Sequence, residues 1–310
     1  PGRVSGSVLG RDRSVLGHFE VQADRVVLSG GTVSTPRLLL DSGVVKKVGE
    51  VGRGLRCHPV FSVLGFTPDR SVVSPGSSQG HYIDEFANDD IILESNPTLV
   101  GAVFQQIPLH GMELMETMAK AAHFSNTGAM IRDRSQGRVL PSRGPGARVH
   151  YDLEDVDRAR AIRGMRHAAR LWLEGLGAEW VSLNVYGGPL CRSMDDVDRL
   201  LAHDLPTGRL MGYSSHPQAS CSVGRATDRM GQVREAPGIH AIDGSSLPSN
   251  VGRNPQISIM TVARVLSERV AEDLGAVPKS LYRGPGAPRQ CPQPGVPCGI
   301  KPAPLEILPG

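Results

Sequence analysis

The run Val26-Val-Leu-Ser-Gly-Gly31, followed at once by Thr32-Val-Ser-Thr-Pro-Arg-Leu-Leu-Leu40, constrains the fold more than any other stretch of this chain. Three consecutive apolar residues that end in glycines read as a strand buried on both faces, with glycines that let the backbone turn closely over a ligand or a helix. Helix signals follow directly. Ser34 or Thr35 can cap, Pro36 suits the first turn, Leu38 to Leu40 supply a buried side and Gly43 suits the end. Strand, glycine turn and helix in this order form one piece of a doubly wound, nucleotide-binding layer. Ahead of it, Val4, Val8 and Leu9, a turn at Gly10-Arg11-Asp12, and the alternation Phe19, Val21, Ala23 read as two further strands.

A second strand, loop and helix lie near the other end. Ile239 to Ile242 reads as a strand, Asp243 to Asn254 as a loop, and Pro255 to about Leu274 as a helix. The first half of that helix is apolar nearly all round, so it is expected to be buried. Between the two halves, from His58 to about Leu205, the sequence is mixed and loop-rich, with Pro/Gly/Ser punctuation at 74–80 and 141–146. Helices are expected from Gly111 to His123 and from Asp155 to Leu176, and a strand around Gly101 to Leu109. In the longer helix Val156, Ile162, Met165, Ala169 and Trp172 recur at steps of three and four, which leaves its arginines on a wet face. The recurrent, aperiodic Pro and Gly from 276 to 310 read as a disordered tail.

Composition excludes several classes. The 34 basic and 31 acidic residues leave +3, too little charge to call for nucleic acid or a membrane surface, so a small-molecule site is expected. Five cysteines, odd in number and without CxxC spacing, give neither a disulfide framework nor a zinc site. A reducing, cytoplasmic setting is the simplest expectation. No run approaches the roughly 18 apolar residues of a membrane span. The chain opens on Pro1 in the middle of a pattern, so more sequence is expected upstream.

The chemistry is concentrated in His216-Pro-Gln-Ala-Ser-Cys-Ser-Val-Gly224 and in Asp243-Gly-Ser-Ser-Leu-Pro-Ser-Asn-Val-Gly-Arg-Asn-Pro-Gln256. The first sets an imidazole on a Gly- and Ser-rich loop, and a neutral imidazole of ordinary pKa, about 6.5, suits proton abstraction near neutral pH. The second sets the carboxamide of Asn254 ahead of an apolar helix, beside free backbone N–H groups where negative charge is favoured. Asn254 is equally a good N-cap for that helix.

Gly31-Thr-Val-Ser-Thr-Pro-Arg-Leu-Leu-Leu-Asp-Ser-Gly43 resembles the second signature of the glucose-methanol-choline (GMC) family of FAD oxidoreductases, and Val51-Gly-Arg-Gly-Leu-Arg-Cys-His-Pro59 resembles the segment that follows it there. The His216 run is similar to the family's catalytic histidine segment, and Asp243 to Met260 to its closing FAD-binding segment. Gln79-Gly-His-Tyr-Ile-Asp-Glu-Phe86 and Ile131-Arg-Asp-Arg134 are nearest the long-chain alcohol oxidase branch. The chain departs from the pattern at Val45 and at Ala219, Ser220, Ser222 and Val223, which bears on substrate shape more than on flavin chemistry.

The resemblance implies an α/β plus α+β protein: a partial FAD-binding doubly wound layer (1–57 and 206–275) with an inserted substrate domain built on an antiparallel sheet and helices (58–205). It implies FAD as cofactor, lined by Ser29, Gly30, Asp243, Gly244 and Pro255, with His216 as general base and Asn254 holding the substrate oxygen. The reaction implied is oxidation of a primary, apolar alcohol to an aldehyde, with oxygen or another carrier as electron acceptor. The family's GxGxxG phosphate loop does not occur in the sequence, so a missing N-terminal FAD-binding segment is an expected partner. Two other readings stand beside this one. The chain is a non-catalytic remnant or subunit of such an enzyme, or a serine hydrolase that uses Ser214 or Ser220 with His216; the second lacks the final glycine of the nucleophile elbow at Gly212-Tyr-Ser-Ser-His216.

Overall fold

Asp12 closes the first turn. Its carboxylate accepts from the backbone and hydroxyl of Ser14, which folds β1 (Gly2–Leu9) back antiparallel on β2 (Val15–Ala23). The structure, a computed structural model, describes residues 2–46, 49–69, 80–96, 106–142, 144, 146–202 and 205–276. β3 (Val26–Leu28) leads through Ser29 and Gly30 into α1 (Gly31–Asp41). The helix is capped by Gly30, not by Ser34 or Thr35, and Gly31 enters it at a φ of +87°, a conformation that favours glycine. Thr35 is drawn elsewhere: its hydroxyl accepts from Gly30 N and donates to Asp243. Ser42 then ends the helix, with Gly43 at φ +70° just beyond.

After β4 (Arg53–Leu55) the chain builds an antiparallel sheet from β5 (Val60–Phe66), β6 (Tyr82–Ile83), β7 (Ile91–Asn96), β8 (Phe124–Ile131) and β11 (Trp180–Leu183), in the order β11-β5-β8-β7-β6. α2 (Gly111–Ala119) precedes β8, while β9 (Gly137–Leu140) joins β10 (Arg148–His150) and β4 in a small separate sheet. α3 (Asp155–Arg170), extended by a π-turn over Leu171–Gly175, lies across the large sheet, and α4 (Met194–Leu200) packs against α3. Strand alternation divides the sheet's residues. Phe61, Val63, Ile91, Leu93, Ala129 and Ile131 face α3, where they meet Met165, Ala168 and Trp172. Val60, Ile92 and Met130 form a cluster on the other face, the face on which Glu94 and Asn96 must also lie.

Two expectations in this region change. Positions 101–105 of the expected strand lie outside the described residues, and Ile107 and Leu109 are unpaired chain packed beside Phe66, Phe124 and Trp180. The arginines of α3 are not all on a wet face either. Arg160 is buried, paired with Asp157 at 2.7 Å and with Asp90. Burial alone would raise the Asp157 pKa, but hydrogen bonds from Ser135, Arg160 and Arg134 hold the carboxyl below its ordinary range. A buried cation survives because two carboxylates surround it.

β12 (Ile239–Ala241) returns to pair in parallel with β3, Val26 opposite Ile239 and Leu28 opposite Ala241, and α5 (Gln256–Asp273) follows. β12 is bridged on its other side to Gln232 through His240, whereas β3 has no further strand partner among the described residues, and Val27 is 48% exposed rather than buried on both faces. The same holds for α5, whose first half is not buried: Ile257 is 75% and Met260 56% exposed. The helix buries Leu266 and Val270 on Ile242, with Val262 and Ala263 partly buried beside them. Residues 1–270 form one compact unit and 271–310 a second, described as far as Ala276; the expected tail otherwise lies outside the described residues. No described helix is long and apolar enough to cross a membrane, and no described His, Cys, Asp and Glu cluster could hold a metal.

Candidate active site

The histidine segment reaches its place by pairing with the β4–β5 connection. Arg56 and Gln218 exchange backbone hydrogen bonds of 2.9 and 2.8 Å, and Val60 and Tyr213 exchange bonds of 2.8 and 3.1 Å, so residues 213–218 arch over Cys57 to Pro59. His216 therefore sits against His58, with ring centroids 5.5 Å apart and planes tilted by 42°. Gln218 ties this arch to the loop ahead of α5: its amide donates to His216 O and its carbonyl accepts from Val251 N at 3.1 Å. Farther along, Ala219, Cys221 and Val223 donate to the carbonyls of Gly244, Ser245 and Ser246.

These ties bring the two segments together. Asn254 Nδ2 lies 3.5 Å from His216 Nε2 and donates to Glu94 at 3.0 and 3.3 Å. Through Nδ2 the Asn254 amide thus reaches β7 and the imidazole; a cap of α5 would instead use its Oδ1 to accept from backbone N–H groups. His216 is half-buried, and burial lowers its pKa, opposed by the charge of Glu94. A depressed pKa keeps the ring neutral near pH 7, with a lone pair available to take a proton.

His58 is a stronger case of the same effect. It is 1% exposed, sits at a φ of +49°, and is pushed down to about 3 by burial, then by His216, Arg253 and Arg132. Its backbone N–H is held by the buried Asp133 carboxylate, which also accepts from Cys57 N, Tyr151 Oη and Asn250 Nδ2. Between its ordinary value of about 6.5 and about 3, the unfolded chain binds a proton at His58 that the folded chain refuses. The stability held by neutral His58 is complete above pH 6.5 and is lost as pH falls through that window. Thermal melts of wild type between pH 7 and 4.5 should show a drop that His58→Gln flattens; equal slopes in the two proteins would contradict it.

On the cofactor side, Ser29 Oγ donates to Ile242 O, and the Asp243 carboxylate accepts from Gly31 N at 2.9 Å, Thr35 Oγ1 at 2.5 Å and Ser245 N at 2.7 Å. Asp243 therefore fastens the start of α1 to the loop after β12, with its oxygens already engaged. Gly244 fits because a Cβ there would stand 2.9 Å from Thr32 Oγ1 and 3.2 Å from Ile259. An open cavity of about 490 Å³ runs from the carboxyl end of β3, at Val27 to Gly30, along the outer side of α1, at Ser34, Thr35, Arg37, Leu38 and Asp41. Its Ser29–Gly30 end occupies the position where ligands of open α/β sheets bind, and the glycine and the hydroxyls of Ser29, Ser34 and Thr35 suit part of a nucleotide there, while Asp41 sets a carboxylate at the other end. Ser29 and Gly30 border this cavity, whereas Asn254 and Pro255 stand at the start of α5 beside His216.

Sequence reasoning brought His216 and Asn254 to the fore and missed Glu94, Asp133 and Gln218. A signal for Glu94 existed: in Ile91-Ile-Leu-Glu-Ser-Asn96 a period of two puts Ile92, Glu94 and Asn96 on one face, an acid where burial is expected. The hydroxyls of the hydrolase reading are committed elsewhere. Ser214 Oγ donates to Cys57 O, and the fully buried Ser220 donates to Thr32 O.

GMC oxidoreductase family models match residues 2–60 with their N-terminal part and 133–263 with their C-terminal part. An uncharacterised GMC-type oxidoreductase of Mycobacterium tuberculosis is 30% identical over 264 residues, covering 83% of this chain and 41% of the relative. Long-chain-alcohol oxidase FAO4B of Arabidopsis thaliana is 29% identical over 282 residues, covering 83% and 37%. In fold, the chain is similar to formate oxidase of Aspergillus oryzae, with a TM-score of 0.59 at 17% identity over 86% of this chain and 57% of that one. The chain spans about two fifths of the length of the curated relatives it matches. Because both parts of the family pattern run in order along a backbone of the same fold, with His216 and Asn254 inside the second, this chain belongs to the GMC oxidoreductases, whose cofactor is FAD.

Proposed function

We propose that the whole protein oxidises a primary, apolar alcohol to an aldehyde, with His216 as the general base. The observation that carries this reading is the 3.5 Å approach of Asn254 Nδ2 to His216 Nε2, two groups 38 positions apart in the chain. A substrate hydroxyl placed between them accepts from Asn254 N–H and gives its proton to His216 Nε2. Loss of that proton leaves electron density on oxygen that favours departure of hydride from the same carbon, and the C–O bond becomes C=O. FAD, when bound, would supply the hydride acceptor. His216 is suited to this role because burial keeps it neutral before the reaction, while nearby Glu94 favours the imidazolium it becomes. Ser29 and Gly30 would border the FAD on the α1 side, Gly244 would pack the loop between, and Pro255 would set the start of α5 toward it.

The full-length protein, purified with FAD, should lose its oxidised-flavin absorbance when a primary alcohol is added without oxygen, and a series of chain lengths should rank the substrates. Hydrogen peroxide on readmission of air identifies oxygen as the acceptor. An unchanged flavin spectrum with every alcohol would overturn the reading in favour of a non-catalytic subunit.

A further inference from the structure

Glu94 stands on β7, opposite Gly128 on β8 and Tyr82 on β6, and is only 8% exposed. A carboxylate so enclosed needs donors, and here it faces an amide, with Asn254 Nδ2 3.0 Å from Oε1 and 3.3 Å from Oε2. An ionised carboxylate only accepts hydrogen bonds. It therefore selects between the two ways a carboxamide can lie: Nδ2 toward Glu94 is a charge-assisted bond, whereas Oδ1 toward it sets two acceptors together. The same Nδ2 carries a second hydrogen, and it is Nδ2 that stands 3.5 Å from His216 Nε2.

Within the reading of His216 and Asn254 given above, we infer that Glu94 is a positioning residue that fixes the Asn254 amide with its free N–H toward the substrate oxygen, so that Asn254 acts as a donor beside the base. It has a second effect, through its charge. The titratable and charged groups around His216 are Glu94 from β7 and His58 from the β4–β5 connection, with Arg253 and Arg132 acting on His58. Glu94 is the one carboxylate among them, and it supports the protonated ring formed when the alcohol gives up its proton.

Glu94→Gln keeps the shape and removes both the charge and the unique amide preference. In protein carrying 13C-labelled histidine, the His216 ring signal should titrate at lower pH in Glu94→Gln than in wild type, a shift that a purely packing role would not produce. kcat/KM for alcohol should fall about 10- to 100-fold, the loss expected for a charge-assisted hydrogen bond. Should Glu94→Gln fail to fold, Glu94→Asp decides: it keeps the charge on a shorter arm, so His216 should titrate near its wild-type pH while kcat/KM falls. A His216 titration unchanged in Glu94→Gln overturns the role of Glu94 alone. Undiminished flavin reduction in His216→Ala would instead overturn the assignment of the base.

Discussion

His216→Ala, in full-length protein loaded with FAD, is expected to slow flavin reduction by alcohol about 100-fold or more, the usual contribution of a positioned general base. The effect should be on the reductive step and not on flavin retention, because the contacts that anchor the segment come from its backbone and from Gln218, not from the imidazole. The pH dependence supplies an independent mark. Wild-type kcat/KM should fall on the acid side as His216 protonates, at a pH below the ordinary histidine value because burial depresses it. In His216→Ala that limb should vanish, leaving a residual rate that does not follow it. Single-turnover reduction followed at the oxidised-flavin band measures both. A rate within a few-fold of wild type would remove His216 from the chemistry.

The pattern of hits and misses along the chain has a physical origin. The β3–α1 turn was legible because glycine at Gly31 answers a local demand, a positive φ at a helix entrance, that sequence states directly. His216 and Asn254 come to notice through a family resemblance, and that they meet at all depends on backbone pairing of Arg56 with Gln218 and Val60 with Tyr213, which no periodicity reveals. Buried polar groups were the blind spot. Arg160 reads as one more arginine on a charged helix, and only the tertiary placement of Asp90 opposite Asp157 makes its burial tolerable. Thr35 reads as a cap for the same reason: its pull toward Asp243 spans 208 positions. Ile257 and Met260 failed in the opposite sense. Hydrophobicity measures what a side chain would gain by burial, whereas the face of α5 that meets Ile242 carries Val262, Ala263, Leu266 and Val270 and leaves Ile257 and Met260 outside.

Asp133→Ala is expected to be the most destabilising single change near the site. The carboxylate is 4% exposed and accepts four hydrogen bonds, from Cys57 N, His58 N, Tyr151 Oη and Asn250 Nδ2. Those donors belong to three separate stretches: the β4–β5 connection under His216, the segment after β10, and the loop that leads into Asn254. Alanine would leave them buried without an acceptor, and at about 1–3 kcal/mol for each unsatisfied group, less what an entering water recovers, the loss should reach about 3–5 kcal/mol. For a unit of this size that corresponds to a fall in Tm on the order of 10 °C. Asp133→Asn, which retains one acceptor oxygen at the same volume, should fall between alanine and wild type. Because Asn250 anchors the loop four residues before Asn254, kcat/KM for alcohol should drop further in Asp133→Ala than in a surface variant of equal Tm. A melting curve within about 2 °C of wild type would mean that the four bonds are dispensable, and that the His58 and Asn254 segments hold their places without the carboxylate between them.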